Sequence, residues 1–381
     1  MASSPPAPPT NYQISTALSP LPCPLCRCGA RRPEGTAMGH IRTVLGDIEP
    51  DQLGITLTHE HIRYAYQGSD TDHQQVWSLD TLAGQVAAVL KEGREVHHIQ
   101  SLVDMTPPEI GRHPELLAEV SRRSGVNIVA MTGFFPEEHA IGIPFHWRRK
   151  SPDYIADMLV RDITEGMVYD NQLTPYKAGI LKAATGGTTS TELDPSKGPT
   201  PISPLEAKVI CAVARAQRRT GACINTHTQP EDYAYLNPGI ELLDLLERYG
   251  ADLSRVIIGH SFVHPNIEQL KAIVERGACL QVDHIGIPWQ NDSQESLDEL
   301  IANAVCQLTD MGYLDRLVFS YDRFFSYAGS PPSAEDPPLL NEQVPVGYIF
   351  DNFAHRLEAK GFGKAEMHQV MVENPRRLIA F

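Results

Sequence analysis

The chain has 381 residues, 42% of them hydrophobic, which is enough for one large domain or two ordinary ones. Its formal net charge of −15 argues against nucleic acid or an anionic membrane surface as the main partner. No apolar run is long enough to cross a bilayer. The seven cysteines suggest no disulfide framework, so we expect a reducing, cytoplasmic compartment. The partner that we expect is a small-molecule substrate.

The first 37 residues differ from the rest of the chain. They are rich in Pro, Ser and Ala and lack periodic apolar character, which predicts a disordered tail at 1–37 before a folded domain at 38–381. They contain no apolar segment followed by a cleavage site, so they make a poor secretory signal. Cys23, Cys26 and Cys28 lack a fourth ligand nearby, which favours an exposed flexible tail over a zinc site.

From Met38 onward, short apolar runs alternate with amphipathic helical stretches. The predicted strands are Gly54–Thr58, His98–Asp104, Asn127–Thr132, Gly179–Ala184, Ala222–Thr226, Val256–Gly259, Ala278–Val282 and Leu317–Tyr321. The predicted helices are Thr81–Val96, His113–Ser124, Pro152–Tyr169, Pro204–Thr220, Pro238–Tyr249, Asn266–Arg276, Ser296–Met311, Val346–Ala359 and Ala365–Leu378.

This alternation predicts an α/β fold, a single (β/α)8 TIM barrel in which both faces of every strand are buried. An open, doubly wound sheet is the alternative. The sequence argues against it, because no Gly-rich phosphate loop follows the first predicted strand.

Two histidines lie at the end of the first predicted strand. His59 and His61 are two residues apart, so on a strand they point to the same side, and Glu60 points the other way. Two imidazoles on one face at a strand end form half of a metal site. The alternative is a pair of histidines that pack in the core.

Other polar residues stand in or after later predicted strands, at the end of the barrel where reactive groups gather. They are Lys182, His227, His260, Asp283, His284 and Asp322. Singly, a histidine there is usually a satisfied structural residue, and an aspartate is often the N-cap of the next helix. Together with His59 and His61, histidines and an aspartate that converge on one mouth are ligands suited to zinc or a similar divalent ion.

Lys182 lies within the fourth predicted strand, where burial disfavours the charged ammonium. A neutral amine can add carbon dioxide and become a carbamate, an anion able to bridge two cations. The alternative is a lysine whose side chain extends to the solvent at the barrel mouth. Lys177 precedes the strand and lies at its entrance, so we do not expect it to take part.

This ordered set resembles the phosphotriesterase family of the amidohydrolase superfamily, which includes phosphotriesterase-like lactonases, from about Arg42 to the C-terminus. The segments that carry the resemblance are Gly54-Ile55-Thr56-Leu57-Thr58-His59-Glu60-His61, Ala178-Gly179-Ile180-Leu181-Lys182, Thr226-His227-Thr228, Ile258-Gly259-His260-Ser261, Val282-Asp283-His284-Ile285 and Glu373-Asn374-Pro375.

The resemblance implies a homodimer and two divalent metal ions per chain, zinc with cobalt, manganese or iron as alternatives. It implies a more buried ion held by His59, His61, Lys182 and Asp322, and a more exposed ion held by His227, His260 and Lys182. Lys182 would be N6-carboxylysine and bridge both ions, with a hydroxide as the second bridge. Asp322 would accept the proton of that hydroxide, and His284 would pass the proton outward.

The sequence departs from the family pattern at three places. Phe262-Val263-His264 stands where the family often has an acidic residue, so the outward proton path is either incomplete or includes His264. Gly133-Phe134-Phe135-Pro136 ends the third strand, where lactonase relatives carry a tyrosine near the metals. Arg323-Phe324-Phe325 begins a long Pro-rich loop that runs to about Pro345 and suits a substrate wall or lid.

These departures predict a largely apolar substrate pocket. Its expected aromatic residues are Phe134, Phe135, Phe324 and Phe325, with Trp289 and Tyr327 as further candidates. The alternative for any one of these rings is packing at the barrel rim.

The whole sequence therefore predicts a metal-dependent hydrolase that uses a bridging hydroxide to cleave a lactone or carboxylic ester, with phosphotriester cleavage as a side activity. An amide hydrolase that acts on N-acyl amino compounds is the first alternative, because the same hydroxide would serve. A barrel that has lost catalysis and acts as a binding protein is the second. The complete ligand set argues against it.

Overall fold

Eight short strands form one parallel sheet in chain order. We label them β1 to β8: Ile55–Glu60, Ile99–Asp104, Asn127–Gly133, Ile180–Ala184, Ile224–His227, Val256–Ile258, Cys279–Val282 and Leu317–Phe319. Just beyond β8, the Asp322 N–H donates to the His59 carbonyl at 3.0 Å, and the His61 N–H donates to the Arg323 carbonyl at 2.8 Å. These bonds join the last strand to the first, so the predicted (β/α)8 barrel is confirmed.

The computed structural model describes residues 39–65, 78–137, 142–186, 202–229, 237–287, 296–328 and 344–381. The predicted tail at 1–37, Trp289 and residues 329–343 of the Pro-rich loop lie outside the described residues. Among the described helices, none is both long enough and apolar enough to cross a membrane.

In the described part of the chain, a helix follows each of the first seven strands. These are α1 to α7: Leu79–His97, Pro114–Ser124, Pro152–Thr164, Pro204–Thr220, Pro238–Arg248, Ile267–Glu275 and Leu297–Asp310. Two helical stretches follow β8. The first joins a π-helical turn, Ile349–Phe353, to Ala354–Glu358, and the second joins Lys364–His368, the π-helical turn Gln369–Glu373 and Asn374–Ile379.

Serine side chains begin four of these helices by accepting the N–H three residues further on. They are Ser78, Ser151, Ser203 and Ser296. Each bond satisfies one of the N–H groups that a helix leaves without a partner at its start. At Ser151 and Ser203 a proline follows at the first helical position, where its fixed φ suits the helix and its missing N–H is not needed.

The other described elements are short. They are the antiparallel pairs Ile41–Thr43 with Gly46–Ile48 and Val168–Tyr169 with Gln172–Leu173, the parallel pair Tyr64–Ala65 with Tyr327–Ala328, the helix Phe145–Arg148, and the 3₁₀ turns Pro50–Gln52, Pro108–Ile110, Leu253–Arg255 and Leu314–Arg316.

The prediction of one helix over Pro152–Tyr169 is wrong at its C-terminal end. The helix ends at Thr164, and Val168–Tyr169 instead forms a hairpin with Gln172–Leu173. Asp170 and Asn171 form the turn with φ of 46° and 58°. Asp and Asn tolerate this left-handed backbone, which a two-residue hairpin turn requires at both positions.

The lower half of the barrel interior, at the end where the strands begin, is apolar. Every second residue of several strands points inward there, as the period of two along a strand requires. This inner cluster includes Val103, Met131, Ile180, Ile257 and Val318, together with Leu378 and Ile379 from the C-terminal helix. The C-terminal residues therefore close the end of the barrel at which the strands begin. Polar side chains are left to the opposite end, where the strands finish.

At Gly133, the end of β3 packs closely against β4 at Lys182, and a substitution of this glycine tests that packing. A Cβ at position 133 would lie 2.3 Å from the Lys182 carbonyl oxygen and 2.9 Å from the Lys182 Cβ. Gly133→Ala should therefore lower the free energy of unfolding by about 1–3 kcal/mol, measured by urea denaturation. Gly312→Ala is the control, because Gly312 also has a positive φ, 91°, but its added Cβ meets nothing within 4 Å. Equal losses in both variants would contradict the steric explanation.

Candidate metal centre

The end of β1 brings His59 and His61 to Asp322, the residue that follows β8. Nε2 of His61 lies 3.1 Å from Oδ1 of Asp322, and Nε2 of His59 lies 3.8 Å from the same oxygen. Ligand atoms of the three residues all lie within 4.8 Å of one another. Both histidines are buried. The two ends of the closed sheet therefore meet in one group of potential metal ligands.

His260, after β6, links this group to the other predicted histidines. Its ring centroid lies 5.0 Å from that of His59, 4.4 Å from that of His227 and 5.1 Å from that of His284. The structure thus gathers five histidines from β1, β5, β6 and β7 at the barrel mouth. We call this set the histidine cluster: His59, His61, His227, His260 and His284.

The nitrogens of the histidine cluster suit a divalent metal ion. Among the described residues, the buried Nε2 atoms of His59, His227 and His260 have no hydrogen-bond partner. Leaving a buried polar atom unpaired costs about 1–3 kcal/mol, so a bound cation would offset that cost at each ring. Burial also lowers the pKa of His59, His61 and His227, which keeps these imidazoles neutral. Neutral imidazoles with a carboxylate are a donor set that fits zinc and similar ions.

Lys182 lies in β4 and is 1% exposed, so its side chain does not extend to solvent. Its Nζ donates to the Met105 carbonyl at 2.9 Å. Burial lowers the pKa of this amine to about 8, although the carboxylates of Asp322, Glu109 and Asp104 oppose the shift. The alternative of a lysine that extends to the solvent at the mouth is therefore wrong.

The amine of Lys182 also lies close to the histidine cluster. If it were protonated, its charge would lower the pKa values of His59, His61 and His227 further. A charged lysine would therefore repel a metal ion bound by the histidine cluster, and a neutral or modified lysine would not.

Three residues at the mouth adopt a left-handed backbone. His260, His284 and Asp322 have φ of 60°, 59° and 60°. This conformation costs a residue with a Cβ roughly 1–2 kcal/mol. Each of the three follows a barrel strand by two or three positions. Strained residues gather at functional sites, so their backbone is independent support for a site at this end of the barrel.

Hydrogen-bonding groups behind the cluster orient its rings. Asp283 Oδ1 lies 2.8 Å from His284 Nδ1, and Asp283 Oδ2 accepts the backbone N–H of His260 at 3.0 Å and also lies 3.0 Å from His260 Nδ1. Burial alone would raise the pKa of Asp283, but the neighbouring His260 and His284 hold it below its ordinary value. Thr106 Oγ1 lies 2.9 Å from His61 Nδ1. Such contacts fix the orientation of an imidazole whose other nitrogen binds a metal.

Aromatic rings form a wall beside the cluster. Phe135 lies 5.9 Å from the His227 ring, and Phe324 lies 5.2 Å from the His61 ring, centroid to centroid. Tyr64 stacks on Phe324 at 4.3 Å and lies 6.4 Å from Phe135. We call Tyr64, Phe135 and Phe324 the aromatic wall.

The other two predicted pocket residues pack differently. Phe134 is 2% exposed and belongs to the hydrophobic core, where its ring lies 5.7 Å from that of Trp147. Phe325 packs against the same core, and the Arg323 guanidinium lies 5.0 Å from its ring centroid. One phenylalanine of each pair therefore faces the histidines, and the other packs against the core.

Sequence reasoning missed Tyr64 and Glu109. Tyr64 lies in a two-residue strand, which is too short to show periodicity. Glu109 follows Pro108 in a 3₁₀ turn, a position that usually faces solvent. In the structure its Oε1 accepts the Phe135 N–H, and its buried Oε2 has no hydrogen-bond partner among the described residues. Neither residue carried a signal in the sequence.

The pH dependence of stability tests the environment of Glu109. Burial raises the pKa of this carboxyl from 4.5 to about 7, against the Phe135 N–H and the charges of Lys182 and Arg112. Between about pH 5 and 7 the unfolded chain ionises Glu109 while the folded chain keeps it protonated, so this group lowers stability as the pH rises. In Glu109→Gln that loss should disappear.

The measurement is urea unfolding of metal-free wild type and Glu109→Gln at pH 5, 6 and 7. The free energy of unfolding of the wild type, relative to that of the variant, should fall as the pH rises. Glu268→Gln, which changes an exposed carboxyl, is the control and should run parallel to the wild type. A difference between wild type and Glu109→Gln that is constant with pH would contradict the assignment.

Comparison with known proteins supports one family. Residues 39–379 match the model of the phosphotriesterase family. A phosphotriesterase homology protein of Mycobacterium tuberculosis is 28% identical over 350 residues, which cover 90% of this chain and 98% of the relative. The phospho-furanose lactonase of Mycoplasmopsis synoviae is 29% identical, over 89% of this chain and 91% of the relative.

Organophosphorus hydrolase from Deinococcus radiodurans has a solved structure that matches with a TM-score of 0.77 at 28% identity, over 92% of this chain and 100% of that chain. The match therefore extends over the whole barrel and includes the strands that carry the histidine cluster. By its barrel and by a family match that runs from residue 39 to residue 379, the chain belongs to the phosphotriesterase family.

Proposed function

We propose that the protein is a binuclear metal-dependent hydrolase that cleaves a lactone or a carboxylic ester. The observation that carries the proposal is the set of buried Nε2 atoms on His59, His227 and His260 that have no hydrogen-bond partner among the described residues. They lie beside a buried lysine and a carboxylate, Lys182 and Asp322. Burying these unpaired nitrogens costs free energy when no cation is present. With a cation bound, the same atoms are suitable ligands.

In this proposal, His59, His61 and Asp322 would hold the more buried ion, and His227 and His260 would hold the more exposed one. Lys182, as N6-carboxylysine, would supply an anion to both. An ammonium at this position would repel two dications strongly at short range. Zinc is the proposed metal, with cobalt, manganese or iron as alternatives.

When bound, two divalent ions supply a hydroxide from water near neutral pH and polarise the carbonyl of the substrate. Asp322 would accept the proton of that hydroxide as the hydroxide oxygen bonds to the carbonyl carbon of the substrate. His284 then takes this proton outward, since its Nε2 lies 3.9 Å from Asp322 Oδ2 and its side chain is 18% exposed. Asp283, 2.8 Å from His284 Nδ1, stabilises the charged form of the ring.

The aromatic wall supports a substrate with an apolar part. Phe135 lies near His227, and Phe324 lies near His61. Apolar rings around a few polar groups are typical of small-molecule sites. The names of the similar proteins, a phospho-furanose lactonase and an organophosphorus hydrolase, support a lactone or ester as main substrate and a phosphotriester as side substrate.

The proposed function is tested by metal content and by a substrate panel. Purified protein should contain about two divalent ions per chain, measured by elemental analysis, and chelation should abolish activity that zinc, cobalt or manganese restores. The panel contains lactones, carboxylic esters, phosphotriesters and N-acyl amino compounds, and kcat/KM should be highest for a lactone or carboxylic ester.

Two outcomes would overturn the proposal in different ways. A preference for the N-acyl compounds would make the protein an amide hydrolase. Metal-free protein that gains no activity from any of the ions would leave a barrel that only binds its ligand.

Lys182→Ala and Lys182→Arg test the lysine bridge. Both variants should lose metal ions and about 100-fold or more in kcat/KM, because alanine supplies no anion and the arginine guanidinium stays protonated. Short carboxylic acids added to Lys182→Ala with metal should restore part of the activity by filling the vacated space.

Lys208→Ala is the matched control for these variants. Nζ of Lys208 also donates to backbone carbonyls, those of Trp147 and Arg148, but away from the histidine cluster. It should keep two ions per chain. Full activity and two ions in Lys182→Arg would show that a different anion bridges the metals.

A further inference from the structure

Glu60 lies between the two histidines of β1 but does not join their cluster. It is fully buried, and its carboxylate accepts three hydrogen bonds from the segment that follows β8. Oε1 accepts the Ser320 hydroxyl at 2.6 Å and the Tyr321 N–H at 2.9 Å. Oε2 accepts the Arg323 N–H at 2.7 Å. The carboxylate therefore holds this segment on both sides of Asp322.

The backbone of β1 holds the same segment from the other direction. The Ser320 hydroxyl oxygen accepts the His59 N–H at 2.9 Å, so one hydroxyl bridges the Glu60 side chain and the His59 backbone. The Asp322 N–H donates to the His59 carbonyl at 3.0 Å, and the His61 N–H donates to the Arg323 carbonyl at 2.8 Å. Asp322 is thus the one residue between two anchored neighbours.

Asp322 needs such anchors because of its backbone. Its φ of 60° is left-handed, and a residue with a Cβ adopts that conformation at a cost of roughly 1–2 kcal/mol. In this conformation Oδ1 lies 3.1 Å from His61 Nε2. If the segment relaxed to an ordinary φ, the carboxylate would swing away from the histidines.

We propose that Glu60 is a positioning residue, which holds Asp322 in the left-handed conformation that directs its carboxylate at the metal centre. The inference rests on the proposed function for the role of Asp322 as a ligand. It adds that the acidic residue between the two histidines sets the geometry of that ligand through hydrogen bonds, without touching metal or substrate.

A purely structural role is the competing explanation, and the chain offers a matched control for it. Glu206, at the start of α4, is also a buried carboxyl with three donors. One oxygen accepts the N–H groups of Glu137 at 2.9 Å and Gly186 at 2.7 Å, and the other accepts the Ser203 N–H at 2.7 Å. This pattern repeats that of Glu60, but none of its donors flanks a proposed metal ligand.

The experiment compares Glu60→Gln with Glu206→Gln. In each variant the amide oxygen can still accept two hydrogen bonds, while the amide NH₂ faces a backbone N–H and cannot accept from it. Both variants should therefore lose similar stability in the metal-free state, measured as Tm. Only Glu60→Gln should also bind cobalt about 10- to 100-fold more weakly and change the visible spectrum of the cobalt-loaded protein. Its kcat should fall more than its KM rises.

Crystal structures of the metal-free wild type and Glu60→Gln give a readout that needs no metal. The variant should show Asp322 outside the left-handed region and its carboxylate displaced from His61. Unchanged cobalt affinity, an unchanged spectrum and an unmoved Asp322 would overturn the proposal. If the wild type bound no cobalt, the proposed function would fail, and the position of Asp322 would still decide the role of Glu60.

Ser320→Ala keeps the proposal open to test if Glu60→Gln does not fold. It removes the hydroxyl that donates to Glu60 and accepts from His59, but it alters no buried carboxyl. We expect weaker cobalt binding and a spectral change in the same direction. Cobalt affinity and spectrum equal to those of the wild type would overturn the proposal.

Discussion

The hydrogen bonds that close the barrel between β1 and the residues after β8 also determine the geometry of the candidate site. His59, His61, Asp322 and Arg323 take part in these bonds through their backbone, and Ser320 takes part through its hydroxyl. The side chains of His59 and His61 make none of these closing bonds and point into the barrel mouth. Barrel closure and the assembly of the ligand group are therefore one event, because the same residues perform both.

Burial supplies the second physical condition. The histidine cluster and Lys182 lie where water does not solvate a charge, and burial lowers the pKa of His59, His61, His227 and Lys182 alike. A group of neutral nitrogens beside a carboxylate has a deficit of positive charge. A bound divalent cation would remove that deficit and pair the buried Nε2 atoms at once, which is why stability and function converge on the same explanation.

The barrel places its packed core and its candidate site at opposite ends of its axis. The lower interior is apolar and is closed by the C-terminal residues, so packing there stabilises the fold. Its upper end carries the strained residues His260, His284 and Asp322 and the aromatic wall. A rigid, well-packed lower half can hold strain at the mouth that an isolated loop would release. Substrate preference in such a fold depends on the loops above the strands, and we propose this role here for Tyr64, Phe135 and Phe324.

Local patterns in the sequence were enough for the barrel and for the polar residues that meet at its mouth. The eight apolar runs predicted the strands, and the spacing of His59 and His61 predicted one shared face. These features depend on a few neighbouring residues through the period of the strand, so the sequence alone determines them. The end of α3 was missed because the hairpin turn at Asp170 and Asn171 competes with the helix.

Only the tertiary structure decided which atoms meet. It selected Phe135 over Phe134 as the ring beside the histidines, and it brought Tyr64 onto Phe324 through a strand of two residues. It also turned Glu60, which the sequence merely directed away from its neighbours, towards the backbone around Asp322. The contacts of Tyr64 and Glu60 join residues more than two hundred positions apart, and that of Phe135 with His227 joins the ends of different strands, so no pattern of neighbours along the chain contains them.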